Sequence, residues 1–275
     1  MSLSSSCKNQ MRKKSMDYKQ IKTIISILMR DACVFKKHII SRFIDACIWS
    51  GATIYVSQYI LPQFGISPAF GKFIMIGNIA AWGMFEVGTN VSILMSDIQG
   101  VNSLSYYLSL PVPTSWIFIR IGLIDAYKSF VSTLPLIPVG KLVLWNYISL
   151  SDISYGPLLL SYILAHLFFG FLGLFLASIT PNLEYLTTIK LRIIFPMWFL
   201  GCYQFSWHML YNANPTLAYL NLINPITYIM EGMRSTIITD QPLISYPICT
   251  CMTIFFIFAF AYAGVYNFKK RLDCV

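Results

Sequence analysis

The chain has 275 residues, of which 20 are basic and 11 acidic. Charged residues make up 11% and apolar ones 56%, with a mean hydropathy of +0.63, whereas a typical soluble domain is about 25% charged. So few charges cannot cover a water-soluble globule of this size, and the composition equally excludes a disordered chain, collagen-like repeats and a disulfide-rich secreted domain.

What remains is an all-α integral membrane protein. Met1–Met16 is rich in Ser, Lys and Arg and is expected to be disordered. Over residues 17–42, Ile21, Ile24, Ile25, Leu28, Ala32, Phe35 and Ile39 recur with a helical period, and Lys19, Lys22, Arg30, Lys36 and Lys37 occupy the other positions. The pattern predicts an amphipathic helix lying along a membrane surface. A soluble helix packed on a partner has the same pattern. The apolar stretch Ile21–Met29 is no signal peptide: it is short, interrupted by Lys22, and lacks a small-residue cleavage site.

A bilayer core takes about 20 apolar residues as helix. Six windows qualify, near 43–61, 73–95, 117–138, 157–178, 191–211 and 243–266. The third holds Arg120, Asp125 and Lys128, while the last holds no charge. Six spans within 43–268 put both termini on one side, leaving 269–275 as a tail. Residues 1–42 carry ten Lys or Arg against two Asp, so the positive-inside rule makes that side cytoplasmic. Lys269, Lys270 and Arg271 in the tail agree. The basic excess sits before the first span and accompanies no nucleic-acid motif, so no nucleic-acid partner is expected.

Between the second and third spans lies a cytoplasmic loop, residues 96–116. Val101, Leu104 and Leu108 form an apolar stripe with Tyr106 and Tyr107 beside it, and Pro111 and Pro113 stop the helix. This is a short surface helix, suited to touching a soluble partner or to serving as a plain connector. Residues 212–242, between the fifth and sixth spans, are too apolar for an ordinary loop and are interrupted by Pro215 and Pro225. Non-spanning backbone at membrane depth must be buried in protein or line a watery cavity. Two short re-entrant helices on the outer side are therefore expected.

Chemistry is sparse. No G-x-x-x-x-G-K-S/T occurs, so the chain is not expected to bind ATP itself, and no cofactor of its own is implied. His38, His166 and His208 are far apart, and neither H-E-x-x-H nor G-x-S-x-G is present. His166 reads as a hydrogen-bonded packing residue. Seven scattered cysteines without a C-x-x-C read as packing residues. Asn90-Val91-Ser92 matches a glycosylation sequon but falls inside the second span. Glu86, in the same span, is costly in hydrocarbon and is either functional or satisfied by another helix. Asp125 and Lys128 stand three apart and can pair. Trp49 and Tyr55 in the first span and Trp198 in the fifth could line a pathway, or belong to an interface belt.

The segment Asn224-Pro225-Ile226-Thr227-Tyr228-Ile229-Met230-Glu231-Gly232-Met233-Arg234 resembles the N-P-x-x-Y-x-x-E-x-x-R motif before the last span of ABC-2 type transporter permeases, the membrane subunits of ATP-binding cassette exporters. Phe195-Pro196 followed by Gly201 is similar to that family's fifth span, and the resemblance covers roughly residues 20–270. The family's coupling segment often reads G-T-L-E-x-L-L-x-S/T-P; here Ser105 stands in place of the Glu. The resemblance implies six spans, an outer re-entrant hairpin and an amphipathic N-terminal helix. It also implies a pathway formed by two permease copies, with a separate ATPase subunit holding ATP and Mg beneath them in the inner membrane of a bacterium. Ile98, Val101, Leu104, Tyr107 and Leu108 would couple to that ATPase. Asn224, Pro225, Tyr228, Glu231 and Arg234 carry the motif, and Glu231 and Arg234 can pair. The substrate implied is a lipid, a lipid-linked glycan or a drug-like amphiphile. An ion-coupled secondary transporter, a membrane-embedded lipid-modifying enzyme and a structural scaffold are the alternatives.

Overall fold

The computed structural model describes residues 18–67, 70–101, 103–145, 147, 153–238 and 242–273. Met1–Met16 lies outside them. The described residues are helical, with no strand among them.

Helix α1 runs Tyr18–Lys36 and breaks at Lys37 and His38, and α2 starts at Ile39. The amphipathic helix thus ends six residues before the expected 42, and Arg42 belongs to the first turn of α2. Helix α2 (Ile39–Tyr55) continues through a wide π turn and a 3-10 turn to Phe64, where Gly65 takes a left-handed φ of 86° and ends it. Helix α3 spans Phe70–Ser96, passes through a π turn at Asp97–Val101, and leads into the short α4 (Ser103–Leu108). Helix α5 (Thr114–Thr133) stops before Pro135, whose ring cannot continue an α-helix. Helix α6 (Leu136–Val143) then turns back along α2 and α3.

The centre of the bundle is α7 (Tyr155–Ile179), packed by α13 (Tyr246–Asp273), α5 and α3. Small residues bring these backbones close. A Cβ built on Gly170 of α7 would lie 2.2 Å from the Gly122 carbonyl oxygen of α5, and one on Gly83 of α3 would lie 2.2 Å from the Phe169 ring. Arg271, in the last turn of α13, donates to Thr180 O at 3.0 Å and Pro181 O at 2.7 Å. A cation thus covers the carbonyls at the end of α7. The basic stretch expected as a tail is mostly the final turns of α13.

Among the described residues, three helical stretches are long and apolar enough to cross a membrane: Ile39–Phe64, Tyr155–Ile179 and Tyr246–Arg271. They give the chain membrane-protein character. Helices α3 and α5 run 27 and 20 residues, and both carry charged side chains within their length. The window at 191–211 is not one helix. It is built from α8 (Leu186–Ile189), a π turn at Lys190–Ile194, α9 (Phe195–Leu200), an irregular turn and α10 (Trp207–Ala213). The break comes at Gly201, where ψ turns to 30°; Pro196 stands in the first turn of α9, just past the π turn, with helical backbone on both sides. Helices α11 (Pro215–Asn221) and α12 (Pro225–Arg234) follow.

Candidate functional site

Two constellations stand out, one at each end of the bundle. The first surrounds α4. The Asp97 carboxylate accepts from Leu104 N at 3.1 Å and fixes the start of that helix. Leu104 and Tyr107 are buried in the chain's own core. Arg120 of α5 lies with its Cζ 4.0 Å from the centre of the Tyr107 ring, and Arg30 of α1 donates to the Tyr107 hydroxyl. Asp31 sits between the two guanidinium groups, 2.9 Å from Arg30 and 3.2 Å from Arg120. Gln20 of α1 donates to Pro111 O at 3.0 Å. Helices α1, α4 and α5 are thereby tied at one charged joint.

Leu104 and Tyr107, expected to face a partner, pack in this chain against its own helices. The stripe is apolar because it packs on the chain's own helices; the open face of α4 carries Tyr106, 59% exposed. Ile98 and Leu108 are partly buried against the same core. The side chain of Val101 lies outside the described residues.

Deeper in the bundle, Glu86 of α3 receives Arg42 of α2 at 2.7 Å. Its other oxygen has no hydrogen-bond partner among the described residues. Sequence reading missed Arg42 because it was assigned to the interfacial helix, and nothing local marks a partner 44 positions away. Lys128 pairs with Asp125 at 2.9 Å. His166 is buried between Ser129 Oγ at 2.8 Å and Thr133 Oγ1 at 2.9 Å, as a hydrogen-bonded packing residue. Asn78 donates to Thr53 Oγ1 at 2.8 Å and accepts from the Tyr203 hydroxyl at 2.9 Å.

The aromatic candidates separate. Trp49 and Trp198 meet across Phe85, with ring centres 5.1 and 5.3 Å from it. They form a packed cluster, in which the indole N–H groups of Trp49, Trp82 and Trp198 have no acceptor among the described residues. Tyr55 is exposed and lies against Tyr59 at the far end of α2.

The second constellation is α12, all ten residues of which are buried. Asn224 caps it, its Oδ1 accepting from Ile226 N at 3.1 Å, and its Nδ2 donates to Met197 O at 2.7 Å. Pro225 fills the first helical position, where no donor is needed. The Tyr228 hydroxyl donates to Leu222 O at 2.9 Å. The Glu231 carboxylate accepts from Trp207 N and from Ile244 N, each at 3.2 Å. Arg234 donates to Tyr203 O at 2.7 Å and to Cys202 O, with its Cζ 3.4 Å from the centre of the Phe73 ring. Glu231 and Arg234 themselves stand 3.9 Å apart. Their main partners are therefore backbone groups left open by the broken helix. Cys202 is held there at a φ of 64°, a left-handed conformation disfavoured for a residue with a side chain. The Asn214-Pro215 pair repeats the Asn-Pro start at α11, where Asn214 Oδ1 accepts from Leu217 N at 3.2 Å.

Comparison with protein families finds no match, and comparison with curated proteins finds no relative. Among the described residues, no group of three or more His, Cys, Asp or Glu is placed to hold a metal ion.

Proposed function

We propose that this chain is the membrane subunit of an ATP-driven exporter of the ABC-2 permease type. It acts as a dimer whose motion is driven by a separate ATPase on the cytoplasmic side. The observation that carries the reading is the Asn224–Arg234 segment. Its Asn, Tyr, Glu and Arg, at the spacing of the family motif, each satisfy a different backbone gap around a helix that does not span. Such satisfaction is what irregular backbone at membrane depth requires. In this reading the chain crosses six times, with α3 and α5 among the crossings, the broken α8–α10 stretch as the fifth, and α11 and α12 as the outer re-entrant pair.

The joint of Arg30, Asp31, Tyr107 and Arg120 supports the coupling half of the proposal. An ATPase pressing on α4 would move α1 and α5 together, because Tyr107 is bound to both. The partner contact then passes to Tyr106 and the groove it shares with Lys19, Lys22 and Leu110. An ion-coupled mechanism is less favoured, because Glu86, its one plausible carrier, is held by Arg42.

The test is co-expression with a candidate ATPase, co-purification, and ATP-dependent export from reconstituted vesicles. Tyr106→Glu is expected to weaken co-purification while leaving the fold intact. Export on an ion gradient by the chain alone would refute the proposal, as would labelling of a cysteine at position 106 from the exterior of sealed cells.

A further inference from the structure

At the α4 end of the bundle, a cavity of about 860 Å³ opens between α1, the first turn of α2, the last turns of α3, and α5. Its walls hold Arg30, Arg42, Arg120 and Lys128 against Asp31, Asp97 and Asp125, and Glu86 pairs with Arg42 just behind. The formal charges balance.

Two wall groups are left over. Arg120 is only 7% exposed, and among the described residues neither its Nε nor its Nη1 donates a hydrogen bond, although Nη1 lies at ion-pair distance from Asp31. Asn90 is 5% exposed, and its Oδ1 accepts none from the described residues. Buried polar atoms are almost always answered by a partner, so these two call for one. Arg120 is six residues inside the start of α5, and Asn90 six before the end of α3. At 1.5 Å per residue both sit roughly 9 Å in from the helix ends, at one depth. The rim is apolar: Val34 and Ile93 line the cavity and are each more than half exposed.

We infer that this chamber binds the headgroup of a phospholipid carrying both a phosphodiester and a hydrogen-bond-donating ammonium, as phosphoethanolamine does. The phosphodiester lies on the Nε–H of Arg120, as a charge-assisted hydrogen bond to one phosphate oxygen, and Nη1 stays with Asp31. Asn90 Oδ1, an acceptor, cannot face those oxygens and takes the ammonium N–H instead. The balanced wall suits a zwitterion better than a net anion. Val34 and Ile93 carry the start of the acyl chains, a feature that a free phosphate would not need. The inference does not depend on the exporter reading.

The test is native mass spectrometry of the full chain taken from nanodiscs that hold equal fractions of phosphatidylethanolamine and phosphatidylcholine. The two share the phosphodiester, but the choline nitrogen has no N–H. The expected result is retention of phosphatidylethanolamine over phosphatidylcholine by about tenfold, the worth of one hydrogen bond to a charged group. Asn90→Leu should retain lipid but lose the preference. Arg120→Gln should reduce retention of both lipids to the level of bulk annular lipid. Because Arg120 also pairs with Asp31, a melting curve is recorded for each variant, and Asn90→Leu, which removes an unpartnered atom, keeps the test independent of that pair. Equal retention of the two lipids by the unaltered chain would overturn the inference. So would displacement of phosphatidylethanolamine by millimolar inorganic phosphate, which would indicate a free-anion site.

Discussion

The buried pair of Arg42 and Glu86 gives the sharpest test of how the polar interior is held together. The Glu86 side chain is 1% exposed, and one of its oxygens accepts from Arg42; the Arg42 side chain is 27% exposed and lines the polar chamber. The two single substitutions are therefore unequal. Arg42→Met strands a carboxylate that cannot reach water, and breaking a buried pair in this way costs about 3–5 kcal/mol. Glu86→Leu leaves a guanidinium that can turn into the chamber, and about 1–2 kcal/mol is expected, close to the value of one charged hydrogen bond. The double variant replaces both charges by apolar groups of similar length. It should lie within about 1 kcal/mol of the unaltered chain, because the desolvation of both ions is removed together. The assay is reversible unfolding of the purified protein in bicelles, followed by circular dichroism, for all four members of the cycle. Strict additivity, with the double variant as unstable as the two singles summed, would show that the side chains do not depend on each other and would refute the reasoning.

Four further outcomes follow from the packing. Gly170→Val drives a side chain into the Gly122 carbonyl and the Ala126 amide, both backbone and unable to yield; a loss of about 3 kcal/mol or more is expected, read as lower yield of folded protein. Leu104→Ala should destabilise the joint by about 2–5 kcal/mol, since the side chain is buried, whereas Tyr106→Ala should leave melting unchanged. Glu231→Gln turns one of two accepting oxygens into a donor facing a backbone N–H; about 1–3 kcal/mol is expected, measured by the same unfolding assay. Arg234→Lys cannot reach both the Cys202 and Tyr203 carbonyls in the geometry of a guanidinium, and hydrogen exchange at residues 201–206 should rise.

How legible this chain is from sequence varies with the range of the interaction. The apolar runs place α7 within two residues at each end and find the body of α13, because a helix in hydrocarbon satisfies its own backbone and needs only composition and length; the charged end of α13 runs seven residues past its window. The start of α12 at Asn224-Pro225 is equally local: one side chain caps, and the next residue needs no donor. The fifth window misled, because apolar composition continues straight through Gly201 while the helix ends there. The pattern of α4 gave an amphipathic helix correctly, but periodicity identifies an apolar face without saying what covers it.

The sequence alone therefore determined that the chain is helical and membrane-like and where most of its long helices run. These properties depend on contacts within one or two turns. Tertiary structure decided that Leu104 and Tyr107 turn inward, that Arg42 meets Glu86 across 44 positions, and that Glu231 and Arg234 serve backbone gaps in preference to each other. Burial and charge pairing are settled between helices, by which surfaces leave water together, and no local spacing encodes that.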